Sequence, residues 1–386
     1  MRPGAVVVVL LLIAAALSLV TGALPPSDAL SLAGRVTPVL GFVVAITIVA
    51  ELARDAAVFD IIAQALGRWG RGRVLVLWGC VVLLAVTSTV FLSLDTTAVI
   101  VTPVVVLLAR GVGVPPLPFA LATVWLANTA SLLLPVSNLT NLLAAPAIGD
   151  SPAAFLALSW APALAGIIVP VLVLTVWHRR SLFGTYPPPR RSTPGDPVLF
   201  WIAAGVLAVL LPLLALVRDV WIPAAAAAVV LGAVFLIRRR QALRLSLVPW
   251  QALGLALALF VLVETVHVRG LSAAVDALAA GGHGVGDVLQ VAAIGAFGAN
   301  AINNLPAYLV LEPMASGDPV LLMALLIGVN LGPLITPWAS LATLLWHHRV
   351  VGLGVPISWG RYMLWGLLVT VPTVAAAAVA LALVAR

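Results

Sequence analysis

Residues Asn330 to Trp346, NLGPLITPWASLATLLW, are apolar enough to enter a membrane, yet Gly332, Pro333 and Pro337 interrupt them. Proline removes a backbone donor and clashes with the preceding turn. In hydrocarbon, the backbone groups freed in this way must find protein, water or ligand. The stretch therefore predicts a broken transmembrane helix, with Asn330, Thr336, Ser340 and Thr343 as the polar groups near the break. An earlier stretch, NTASLLLPVSNLTN from Asn128 to Asn141, answers it. With Asn128 set on Asn330, Pro135 falls on Pro337, Asn138 on Ser340, Leu139 on Leu341 and Asn141 on Thr343. Broken helices at corresponding positions of two halves are the best sequence pointer to a transporter's binding site.

Composition agrees with a membrane setting. The chain is 63% hydrophobic and 9% charged, against roughly 25% charged residues in soluble domains. A polytopic, all-α membrane protein embedded in the lipid bilayer follows. All 20 basic residues are arginine, grouped in short connections between apolar runs. That grouping is the positive-inside pattern and not a nucleic-acid surface. The single cysteine, Cys80, excludes a disulfide within one chain, and no phosphate-binding P-loop is present. His267, His283, His347 and His348 lack metal-ligand spacing and read as interfacial; no metal or cofactor is expected. The apolar run from Arg2 to Val20 has features of a signal peptide, but a counterpart in the second half favours an uncleaved first helix.

A span needs roughly 20 apolar residues. Predicted spans cover about 4–21, 36–53, 153–178, 197–217, 220–237, 246–266 and 361–384, with broken helices over about 116–148 and 319–346. Pro25-Pro26-Ser27-Asp28 reads as a loop, and 54–67 as an amphipathic segment at the interface or against the bundle. The stretch 74–110 carries the polar interruption Ser93-Leu94-Asp95-Thr96-Thr97. It reads as a re-entrant hairpin, with two full spans as the alternative. A second hairpin is expected at about 287–315, with Asn303-Asn304-Leu305-Pro306 at its tip.

The halves match beyond the breaks. Gly41–Glu51 and Gly254–Glu264 share the pattern Gly-x9-Glu, and each precedes an amphipathic stretch and then a hairpin. The first repeat is 1–178, the linker 179–196 is cytoplasmic, helix 197–217 has no partner, and the second repeat is 218–386. One unpaired helix between the repeats inverts the second, as inverted-repeat transporters require. With the N-terminus inside and the C-terminus outside, only Arg35, Arg218, Arg269 and Arg386 of the 20 arginines fall outside. The orientation suits a cytoplasmic (inner) membrane.

Asp95 is the sharpest chemical candidate. A carboxylate near the midplane costs a few kcal/mol unless paired or solvated, which suits a proton carrier. The plainer reading has it cap the second hairpin arm through the Thr96 and Thr97 amides. Glu51 and Glu264 end matched helices, as proton relays or as hairpin supports, for example Glu51 with Arg54. Asn128, Ser137, Asn138, Thr140, Asn141, Asn300, Asn303, Asn304, Asn330, Thr336, Ser340 and Thr343 are neutral donors and acceptors. Near helix breaks such groups hold a cation, an anion or a hydroxylated solute. The plainer reading is interhelical hydrogen bonding, about 0.6 kcal/mol each. Trp338 stands beside the second break as a candidate wall of the site.

At these residues the chain resembles the arsenical pump membrane protein family, within a superfamily that also holds sodium/dicarboxylate symporters and sodium/proton antiporters. The likeness is strongest at Leu94-Asp95-Thr96-Thr97 with Thr102-Pro103, at Leu134–Asn141, at Asn303-Asn304-Leu305-Pro306 and at Asn330–Trp346. The chain departs from the family at Leu94, where Asn is usual, and at Asn330, where Asp is frequent. The resemblance implies export of arsenite or antimonite, either as a secondary carrier or with a separate ATPase subunit, and a homodimer as in superfamily relatives. Arsenous acid is neutral and hydroxylated near pH 7, so Asn, Ser and Thr side chains can bind it without Cys80. The expected site lies between Asp95, Asn138, Asn303 and Ser340, with a proton on Asp95 alternating with substrate. A small-anion/sodium symporter or a sodium/proton antiporter is the alternative on the same scaffold. A non-transporting scaffold or receptor would have no use for paired breaks.

Overall fold

The structure is a computed structural model that describes residues 3–149, 151–187, 193–271, 275 and 281–385. Helix α1 (Pro3–Val20) is followed by α2 (Pro26–Asp55), which starts at Pro26 and not at the predicted 36. Pro26 occupies the first helical position and Asp28 lies in the first turn, so residues read as a loop are helix-start signals. Next come α3 (Val58–Trp69), α4 (Val74–Leu92), α5 (Leu94–Gly111) and α6 (Leu117–Thr129). After the first break, α7 (Leu139–Ile148) and α8 (Pro152–Trp177) complete the first half. The middle of the predicted linker, 188–192, lies outside the described residues, as do 272–274 and 276–280 between α11 and the second hairpin.

The second half runs α9 (Pro197–Leu216), α10 (Trp221–Arg238), α11 (Trp250–Val266), α12 (Val285–Ile302), α13 (Asn304–Leu311) and α14 (Pro319–Leu331). After the second break it ends with α15 (Leu341–Gly352) and α16 (Trp359–Val384). Helix α11 starts at Trp250, later than the predicted 246, because Leu245–Leu247 form a separate 3-10 turn ahead of Pro249. Among the described residues, nine helices are long and apolar enough to cross a membrane. That number equals the predicted count of spans, but the membership differs. It includes α4, α5 and α12 from the two hairpins and leaves out the halves of both broken helices.

Two apolar clusters organise the bundle. One surrounds the first hairpin, including Ala85, Leu92, Leu94 and Ala98, and the other surrounds the second, including Val288, Ala299, Leu305 and Tyr308. Helices α12 and α14 pack closely, since a Cβ on Gly328 would lie 2.2 Å from the Ala292 carbonyl oxygen. Small residues permit such approach where lipid supplies no hydrophobic drive between helices. With the unpaired α9 set aside, the first helix of each predicted repeat packs on the second helix of the other: α1 lies against α11, and α10 against α2.

Contacts between connections sort them into two ends of the bundle. At one end Arg239 donates to the Asp55 carbonyl, Arg110 to the Gly354 carbonyl and Tyr186 to the Gly67 carbonyl. At the other, Arg35 pairs with Glu312, Arg269 donates to the Ala23 carbonyl and His283 pairs with Asp318.

A candidate transport site at four helix N-termini

Both hairpins turn on one residue with positive φ. Ser93 (φ 86, ψ 160) ends α4 and begins α5, and Asn303 (φ 105, ψ 152) ends α12 and begins α13. The two breaks also share a backbone course. A 3-10 turn over Pro135–Ser137 lies between extended Leu134 and Asn138, and one over Pro337–Ala339 lies between extended Thr336 and Ser340. Asn138 and Ser340 are then the N-caps of α7 and α15.

These four N-caps meet in one cavity of about 110 Å³. Its polar wall holds Ser93 and Asp95, Asn138, Asn303 and Asn304, and Ser340. The structure thus brings together Asp95, Asn138, Asn303 and Ser340, from four separate stretches of chain. The N-termini of α5, α7, α13 and α15 direct their first-turn amides and the positive ends of their dipoles here. The opposite wall is apolar and comes from the matched helices α2 and α11, through Phe42, Val43, Ile46, Leu253 and Leu255, with Thr47 beside them. Ser93 and this wall were missed in the sequence reading, and only the Gly-x9-Glu pairing of α2 and α11 hinted at the latter. Among the described residues, no arginine, histidine or cysteine lines the cavity. Its volume far exceeds the roughly 10–15 Å³ that one water requires.

The Asp95 side chain is exposed within this cavity. No described side chain pairs with it, and it makes no cap: the Thr97 amide bonds to the Ser93 carbonyl. Ser340 Oγ is buried without a hydrogen-bond partner among the described residues. Asn303 is committed to structure, donating to the Trp338 carbonyl at 2.8 Å and capping the Leu305 amide at 3.3 Å. Asn304 Oδ1 accepts from the same amide at 2.9 Å.

The other expected site residues stand behind the cavity wall. Asn330 Oδ1 accepts from Asn138 Nδ2 at 2.9 Å and Thr140 Oγ1 at 2.7 Å, while its Nδ2 donates to Asn141 Oδ1 at 2.6 Å. Asn128 bonds back to the Val124 carbonyl, Ser137 to the Val90 carbonyl and Thr96 to the Leu92 carbonyl. Thr97 meets Thr89, Thr336 meets Asn300, and Thr343 meets Tyr362. Trp338 does not line the cavity; its ring is half exposed and its Nε1 donates to the Asn300 carbonyl at 2.8 Å. Glu51 pairs with Arg54, and Glu264 lies in a small cleft with Arg35, His267 and Glu312.

Residues 2–317 match the family described as citrate transporter. The arsenical pump membrane protein of Escherichia coli K12 is 30% identical over 399 residues, covering 96% of this chain and 91% of its own. The chain belongs to the arsenical pump membrane protein family. A second relative, from Yersinia enterocolitica, is 30% identical over 401 residues, covering 96% of this chain and 92% of its own. The YdaH transporter of Alcanivorax borkumensis has the same fold, with a TM-score of 0.58 at 17% identity over 92% of this chain and 87% of that one. Its structure is described as having an unusual topology. This arsenical pump family member is accordingly a helical, multi-pass membrane transporter.

Proposed function

We propose that this protein exports arsenite or antimonite across the cytoplasmic membrane as a secondary carrier. The observation that carries the reading is the cavity itself: four helix N-termini and Ser, Asn and Asp side chains, with no basic or thiol group among the described residues. A neutral trihydroxy acid fits that chemistry. Its oxygens accept from first-turn amides, and its hydroxyls donate to Asp95. Ser340 Oγ, unpaired in the buried wall, is a ready partner.

Asp95 then serves as the exchanging group. Ionised, it offsets the converging dipoles and accepts from the bound hydroxyls; protonated, it loses its charge and part of its acceptor capacity, and the weakened bonds release the solute. The proton enters as the solute leaves, so charge on the site alternates between the two loads. Two inverted repeats in the same cytoplasmic membrane, with the arginine-rich end inside, supply two equivalent routes to one site.

A small anion is the second reading, favoured by the four dipole ends. Among the described residues the cavity has no basic side chain to neutralise it, and Asp95 opposes it. Arsenite accumulation in cells lacking other exporters separates the readings, with the wild type and Asp95→Asn compared. Lower accumulation with the wild type that Asp95→Asn abolishes supports the proposal. Unchanged accumulation, with protein in the membrane and sodium-dependent anion uptake present, overturns it.

A further inference from the structure

A second and larger cavity, of about 410 Å³, lies against the site. The first half of α2, the end of α7, the start of α8 and the connection Arg218–Trp221 enclose it. Phe42 and Leu142 line both cavities. The Phe42 ring is only 2% exposed and stands between them. Leu142 faces it from the first turn of α7, its amide bonded to the Asn138 carbonyl at 3.1 Å.

Two further observations mark the larger cavity as a water path. Pro38 lies inside α2 and Pro146 inside α7. Neither can donate to the carbonyl four residues earlier, which belongs to Gly34 and Leu142 respectively. Both of those residues line the cavity. At membrane depth, carbonyls freed by proline need water or protein, and water in the cavity that these residues line would serve. The rim also carries Arg35, Ser151, Arg218 and Asp219. Arg35 belongs to the end of the bundle where it meets Glu312, the arginine-poor end.

We propose that this cavity is the extracytoplasmic half of the transport path, and that Phe42 and Leu142 form the barrier between it and the site. The inference rests on the protein being a transporter but not on which solute it carries. Phe42 comes from the apolar wall of α2 and Leu142 from the helix whose N-cap is Asn138, so movement of α7 against α2 opens or closes the passage. No change in either hairpin tip is needed for that step.

The single native cysteine makes the test direct. In a Cys80→Ala background, Val39→Cys reports on the larger cavity and Thr47→Cys on the site. Both are treated with a membrane-impermeant methanethiosulfonate, in intact cells and in inside-out vesicles. Val39→Cys is expected to react fully in intact cells, and Thr47→Cys slowly. Adding Phe42→Ala or, separately, Leu142→Ala raises the Thr47→Cys rate in intact cells severalfold. Reaction of Val39→Cys in inside-out vesicles alone overturns the path. A Thr47→Cys rate equal with and without both barrier substitutions overturns the barrier. Because thiol labelling is the readout, loss of the arsenite assignment leaves this result intact, and the reverse also holds.

Discussion

Asn138 donates from Nδ2 to the Asn330 side-chain oxygen over 2.9 Å, joining positions 192 residues apart. Asn330 also takes a bond from Thr140 and gives one to Asn141, so one buried amide ties the first break to α14. Asn330→Ala leaves these partners unpaired in a buried site, and a loss of about 1–3 kcal/mol is expected. Thermal unfolding in detergent measures it. Asn330→Asp keeps the acceptor but turns an oxygen toward Asn141 Oδ1. That variant holds all three bonds only when protonated, so its melting temperature is expected to fall as pH rises.

Ser340 is the opposite case. Its hydroxyl lines the cavity with no partner among the described residues, so Ser340→Ala removes a group that bonds to no described side chain or backbone atom. The expected result is an unchanged melting temperature with weakened arsenite transport, seen as a higher KM in everted vesicles. A drop in stability with transport intact would assign Ser340 to packing.

The hairpin tips predict a contrast between two residues in the same conformation. Ser93 has positive φ and its side chain makes no cap, so Ser93→Gly relieves strain and is expected to hold or raise stability. Ser93→Val adds a β-branched side chain where φ is positive and costs about 1–3 kcal/mol. Asn303→Gly shares the backbone relief but gives up the bonds to Trp338 and Leu305, and is expected to destabilise. Melting curves of the three variants rank them.

Asp318 caps α14 and pairs with His283 outside the spans. Burial pushes its carboxyl up, but the bond from His283 and the Leu321 and Val320 amides outweigh this and hold it below the usual carboxylate range. A depressed folded value means that ionised Asp318 stabilises above its unfolded value, and that the gain is lost as pH falls through the folded one. Asp318→Ala is therefore expected to cost about 1 kcal/mol at pH 7. The gap to the wild type should close as the pH falls below about 4. Unfolding measured across that range checks the sign.

Much of this site was legible because proline and asparagine carry backbone consequences. Pro135 and Pro337 announce breaks, and the chain obeys with the same turn at each. What polarity could not announce is direction. Asn138 and Asn330 look alike in sequence, yet one lines the cavity and the other is buried behind it, a choice made by helix rotation within the bundle. The apolar wall from α2 and α11 had no polar signature to reveal it. The early start of α2 was hidden because Pro25-Pro26 marks a loop and a helix entrance equally well.

The packing of α1 on α11 also governs biogenesis. Some 230 residues separate the end of α1 from the start of α11, and synthesis at about 5–20 residues per second makes that an interval of tens of seconds. During it, α1 sits in lipid with its eventual partner not yet made, and α2 likewise waits for α10. The halves therefore act as mutual chaperones, not as independent modules. Cut within the linker and produced as two polypeptides, they should each be prone to degradation alone and recover together, with the exchanged helix pairs as the glue.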